Sequence, residues 1–131
     1  DGSVYNVYAR PESAARRSKT LAPKSFLGEF EQMVLLAILQ QRDRAFALQV
    51  RREIERSADR RVSRGAFYTT LERLERKGLV TWAEIVPEDA SRSGPLRRFS
   101  VTAAGMEALR GSWQAVRKLA RGLDDILEEA R

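Results

Sequence analysis

Between residues 26 and 41 the chain reads FLGEFEQMVLLAILQQ, with Phe30, Met33, Val34, Leu36, Ala37 and Ile38 spread over more than one side of a helix. A helix this apolar must be covered on several faces, so it is expected centrally or between copies of the chain. The polar stretch 40–44 predicts a short loop, with Asp43 placed to cap the next helix. That second helix is predicted over 45–58, with Ala47, Val50, Ile54 and Ala58 inward and Arg51, Arg52, Glu53, Glu55 and Arg56 on a mixed-charge outer surface. After the polar residues 59–61, Ser63 is a suitable N-cap for a third helix running to about Lys77. Phe67, Leu71 and Leu74 recur at helical spacing on its buried face, and Gly78 ends it.

The periodicity then changes. LVTWAEIV and RRFSVT are rich in β-branched and aromatic residues, and the intervening PEDASRSGP is a loop by composition, so a β-hairpin is predicted. Thr102 starts a last helix, predicted to run to the end of the chain. Along it Met106, Leu109, Trp113, Val116, Ala120, Leu123, Leu127 and Ala130 alternate in steps of three and four. That is a seam of coiled-coil type, which predicts pairing with a second copy; packing on the helix's own domain is the competing reading. Ala120 and Ala130 would let two helices approach closely, while Trp113 and Leu123 fill space elsewhere. Residues 1–25 lack sustained periodicity and carry Arg10, Arg16, Arg17, Lys19 and Lys24 against Asp1 and Glu12. They read as an extension or as a basic arm able to lie along DNA.

Composition narrows the chemistry. The 131 residues are 43% hydrophobic and 32% charged, enough apolar content for one folded domain. A formal net charge of +6 favours polyanionic partners. The chain has no cysteine and no histidine. That excludes a disulfide framework, the usual zinc sites, a thiol switch and nucleophilic catalysis by Ser-His-Asp or Cys-His groups. Metal and cofactor are therefore both expected to be absent. The four lysines do not stand in apolar runs that would perturb them, so an enzyme is the weakest reading. No run approaches the roughly 18 apolar residues of a membrane span, and residues 1–25 lack a secretory apolar stretch, so a soluble, cytoplasmic protein is expected.

Three helices, a hairpin and a heptad-bearing helix make a mainly α fold with a small antiparallel β-hairpin. The order is that of a winged helix-turn-helix followed by a C-terminal dimerisation helix, in which the third helix enters the major groove. The implied division is an N-terminal extension at 1–25, a winged-helix DNA-binding domain at 26–101 and a dimerisation helix at 102–131. On a helical wheel Gly65, Thr69, Glu72 and Arg76 lie opposite the buried face, flanked by Tyr68 and Arg73. Residues 61–77 hold five basic side chains against two acidic ones. Gly65 permits close approach at the helix start, whose amides after Ser63 suit a phosphate. Arg64, Tyr68, Thr69 and Arg73 are candidates for base edges or phosphates. Arg92, Arg97 and Arg98, in or beside the hairpin loop, are candidate backbone or minor-groove contacts. A solvated amphipathic helix and a charged loop are the plainer alternatives, as is a winged helix that binds protein rather than double-stranded DNA.

LGEFEQMVLLAIL, AFALQVRREIE, VSRGAFYTTLERLERKGLV and RRFSVTAAG together resemble the PadR-like transcriptional regulators over roughly residues 26–110. The pattern formed by Gly65, Tyr68, Leu71, Leu74, Gly78 and Leu79 is the most specific part. The resemblance implies a DNA-binding winged helix, a homodimer built on the C-terminal helix with help from the first, and repression through pseudo-palindromic operators. Some relatives sense flat aromatic compounds between paired subunits, and here Trp113 would line such a cleft by stacking unless it is a core residue. The chain departs from the family at Phe46-Ala47, where Tyr-Gly is common, and in the wing at Pro95, Leu96 and Ser100.

Overall fold

The computed structural model describes residues 26–86 and 94–129. Helix α1 is Glu29–Gln41, followed by a 3-10 turn at Arg42–Arg44. Helix α2 is Ala47–Ala58 and α3 is Arg64–Arg76. Strands β1 (Val80–Ile85) and β2 (Leu96–Val101) pair antiparallel, with Val80 opposite Val101 and Ile85 opposite Leu96. Helix α4 (Ala103–Ala120) and the short α5 (Asp124–Glu129) complete the order. The described residues are mostly helical with one two-stranded sheet, as the sequence pattern predicts.

The core lies where α1, α2 and α3 meet the base of the hairpin. Val34, Leu35, Ala37 and Ile38 of α1 pack with Val50 and Ile54 of α2 and Phe67, Leu71 and Leu74 of α3, closed by Val80, Phe99 and Val101 from the strands. Helices α2 and α3 turn charged and polar residues to water, and this apolar cluster sets the relative positions of all three.

Local capping explains the starts of α3 and α4. Ser63 adopts extended backbone and its Oγ accepts the Ala66 N–H at 3.1 Å. Thr102 does the same for Gly105 at 3.0 Å. The turn between α2 and α3 is held by Glu55, whose carboxylate accepts the Val62 N–H at 2.9 Å. Asp43 does not cap α2. It sits in the 3-10 turn, and α2 begins after Phe46 with no side-chain cap, because the Phe46 backbone is engaged in a bridge to Arg98 of β2.

The first helix begins at Glu29 rather than Phe26, and Phe26 and Leu36 are exposed in the single chain. One further expectation needs correction: the last helix is not continuous, but stops at Ala120, and a turn with Gly122 at φ 80° redirects the chain into α5. A positive φ is cheap only for glycine, so this residue writes the break. Ala130 and the loop residue Arg92 lie outside the described residues, as does the stretch 1–25.

The base of the hairpin is tied by Thr102. Its N–H donates to Leu79 O at 3.0 Å and its Oγ1 donates to Gly78 O at 2.7 Å. Gly105, one turn into α4, lies against the same segment: a Cβ there would stand 2.2 Å from Leu79 O and 2.7 Å from Val101 Cγ1. Backbone cannot yield as a flexible side chain can. Gly105→Ala is therefore expected to destabilise the fold by about 1–3 kcal/mol despite its better helix propensity, read as a lowered urea midpoint at unchanged m-value.

Candidate nucleic-acid interface

The outer side of α3 is bare. Gly65, Thr69, Glu72 and Arg76 are all exposed, and so are Ser63, Arg64, Tyr68 and Arg73. Ser63 holds its cap and still has a hydroxyl proton to donate outward. A Cβ on Gly65 would meet nothing within 4 Å, so the protein's own packing does not require glycine at this position. Tyr68 sets its ring edge-on to buried Phe67, with centroids 5.3 Å apart, yet keeps 40% of its surface exposed.

The flanks of α3 differ. On the Tyr68 side, α2 and α3 enclose a groove of about 240 Å³ lined by Ala47, Leu48, Arg51, Arg64 and Tyr68. Arg51 thus joins Arg64 at one edge of the bare surface, a residue that the sequence pattern groups with solvated charges. Its position one turn after Ala47 is a signal, but only the packing shows that α3 lies alongside. On the other flank Arg73 lies towards the start of α1, near enough to Glu31 to attract its charge.

In the hairpin, Arg97 and Arg98 project to opposite faces, as neighbours on a strand must. Arg97 stacks over Trp82, 4.2 Å from the ring centroid, and Trp82 Nε1–H donates to Glu75 of α3 at 2.6 Å. Arg98 is half-buried beside Phe46. Among the described residues no group of acidic side chains gathers to hold a metal ion, and no helix is long and apolar enough to cross a membrane.

The residues expected in a dimer seam are not equivalent. Leu109 is 6% exposed and belongs to the subunit's own core, with Met106 packed against that core. Trp113 is 51% exposed, its ring covered by Arg117 at 4.7 Å, so it is not a core tryptophan. Val116, Leu123 and Leu127 are exposed, Ala120 is half-buried, and Leu119 and Ile126 are exposed as well.

The family profile described as transcriptional regulator PadR-like matches residues 35–111, more than half of the chain. The chain belongs to the PadR-like family of transcriptional regulators. Its fold is similar to that of a PadR-like transcription factor from Bacteroides fragilis, at 17% identity and a TM-score of 0.59, covering 88% of this chain and 96% of that one. It is also similar to the transcriptional regulator TA0346 of Thermoplasma acidophilum (20% identity, TM-score 0.55, 73% and 90% covered). RosR of H. salinarum matches at 20% identity and a TM-score of 0.56, over 79% and 93% of the two chains. No curated protein matches the sequence. PadR-like proteins are DNA-binding transcription factors with a winged helix, not enzymes, and this regulator shares that fold and class.

In this PadR-like regulator the most specific sequence pattern has a structural meaning. Leu71 and Leu74 are its buried face, while Gly78 and Leu79 supply the carbonyls that Thr102 ties. Just before the matched segment, Glu31 fastens the start of α1 to the end of α3. It accepts the Gly28 N–H at 3.0 Å and the Lys77 ammonium at 2.8 Å. Burial pushes the Glu31 carboxyl up, but the Lys77 and Gly28 hydrogen bonds and the charges of Lys77 and Arg73 more than offset it, leaving a lowered pKa. A carboxyl whose folded pKa is below its unfolded value stabilises fully above the unfolded value, about 4.3 for glutamate, and loses that contribution as pH falls through the folded one. Glu31→Gln is therefore expected to cost about 1–2 kcal/mol at pH 7, with the gap to the parent closing as urea titrations are moved below pH 4.

Proposed function

We propose that this PadR-like regulator is a homodimeric, sequence-specific binder of double-stranded DNA that represses transcription from a pseudo-palindromic operator in the cytoplasm. The bare, net-positive outer side of α3 carries this reading. Ser63, Arg64, Gly65, Tyr68, Thr69 and Arg73 would meet the major groove and its phosphates, with Arg51 beside them and Arg92, Arg97 and Arg98 serving from the wing. Residues 26–101 form the DNA-binding unit in this reading, and 102–131 pair two copies. The exposed Trp113, Val116, Leu123 and Leu127 support the pairing, since so many large apolar side chains left uncovered on successive elements are unusual on a monomer. Residues 1–25 would add a basic arm. A flat aromatic effector held between copies would stack on Trp113, which is half exposed, displacing Arg117 from its ring or using the opposite face.

Selection of bound fragments from genomic DNA tests the whole reading. Recovery of an inverted repeat with half-sites about one helical turn apart, roughly 34 Å, is expected; enrichment of no sequence at moderate salt rejects it. With about four phosphates neutralised per subunit, log K should fall against log[salt] with a slope near −7. Arg64→Ala and Arg73→Ala should each weaken operator binding by about 1–3 kcal/mol per subunit if the side chain reads a base; unchanged fluorescence titrations would remove them from the interface.

Gly65→Ala separates stability from recognition. With open space around the new methyl, it should stabilise the free protein by roughly 0.5 kcal/mol, while a methyl between the α3 backbone and DNA weakens binding. A melting temperature that rises together with unimpaired operator affinity would show that no close approach occurs there.

A further inference from the structure

We propose that Trp82 and Glu75 are positioning residues that hold Arg97 as a preformed phosphate clamp on the wing. The proposal rests on the DNA-binding reading and extends it to how one wing contact is built. Arg97 stands across the sheet from Glu84, the obvious partner for its charge, and forms no ion pair with it. Its guanidinium lies instead over the face of Trp82, 4.2 Å from the ring centroid.

Stacking occupies the flat face of a guanidinium and leaves the N–H groups along its edge to donate in one plane, the geometry that suits two oxygens of a phosphate. The indole is itself anchored, because its Nε1–H donates to Glu75 Oε2 at 2.6 Å. Glu75 is seven residues after Tyr68, two turns along the same side of α3. A chain of contacts thus runs from the exposed side of α3 through Glu75 and Trp82 to a cation on β2. It fixes where the wing's charge sits relative to α3 before any DNA arrives, so less ordering is required on binding.

A phosphate contact is independent of sequence, so a fluorescein-labelled mixed-sequence duplex serves as the probe. Arg97→Ala should reduce the salt slope by about 0.9 per subunit. Arg97→Lys retains the charge but not the planar stack, and should bind within about twofold of Arg97→Ala rather than of the parent. Trp82→Leu should match Arg97→Ala, and the double variant should lose little more than either alone. Trp82→Phe, which keeps an aromatic face, should recover much of the loss, and guards against a Trp82→Leu protein that simply folds poorly. Glu75→Gln and Glu75→Ala remove the same charge but only the first retains an acceptor for the indole, so Glu75→Ala should bind more weakly.

Parent-like binding by Arg97→Lys, or additive losses in the double variant, would overturn the clamp. If Arg64→Ala weakens binding and Arg97→Ala does not, the clamp falls and the DNA reading stands. If the parent binds no duplex, both fall.

Discussion

The hydroxyl and amide of Thr102 hold this fold in register. A hairpin of two six-residue strands is at best marginal by itself in water. Here its open end is closed by one residue that donates twice, to the carbonyls of Gly78 and Leu79, and then caps the helix beyond it. The same residue therefore fixes where α3 ends, where the wing begins and in which direction α4 leaves. Gly105 permits that junction to close by offering no side chain where α4 meets the Leu79 carbonyl. Displacing any of these would move the wing relative to α3, and with it every charge on the hairpin.

Above this junction the protein divides its surfaces cleanly. The inward side of α3 is spent on Phe67, Thr70, Leu71 and Leu74, all buried. The outward side is occupied by small, polar and cationic residues that make no demands on the core. Most of the exposed large apolar side chains among the described residues lie elsewhere, on α4 and α5 and the turn between them, where Trp113, Val116, Leu119 and Ile126 stand uncovered. A polyanion and a second apolar surface would thus be met on different elements, without competing for the same side chains.

The elements whose pattern is local are legible in the sequence. Ser63 and Thr102 are readable as caps because the acceptor and its target amide lie three residues apart. The Phe67, Leu71, Leu74 stripe is readable because one helix face suffices to define it. The features that escape depend on partners distant in sequence or on one backbone angle. Arg51 resembles its solvated neighbours until α3 is seen to lie beside it. The heptad pattern runs straight through Gly122, since periodicity records side chains and is blind to a φ of 80°. Leu109 fits the seam equally well as a core residue, and only packing distinguishes the two. Asp43 has the chemistry of a cap, but the 3-10 turn that contains it and the Phe46 bridge move the start of α2 beyond it.

The start of helix α1 and the residue that leads into it are fastened to two different elements. The Leu27 N–H donates to Ser112 of α4 at 3.0 Å, and four residues later Glu31 grips Lys77 at the foot of α3. Anything that pulled α4 sideways would tug Leu27, and the four residues from there to Glu31 would relay the motion to α3. The segment from Leu27 to Glu31 is in this sense a tie-rod, through which a displacement of α4 would alter the pitch of α3.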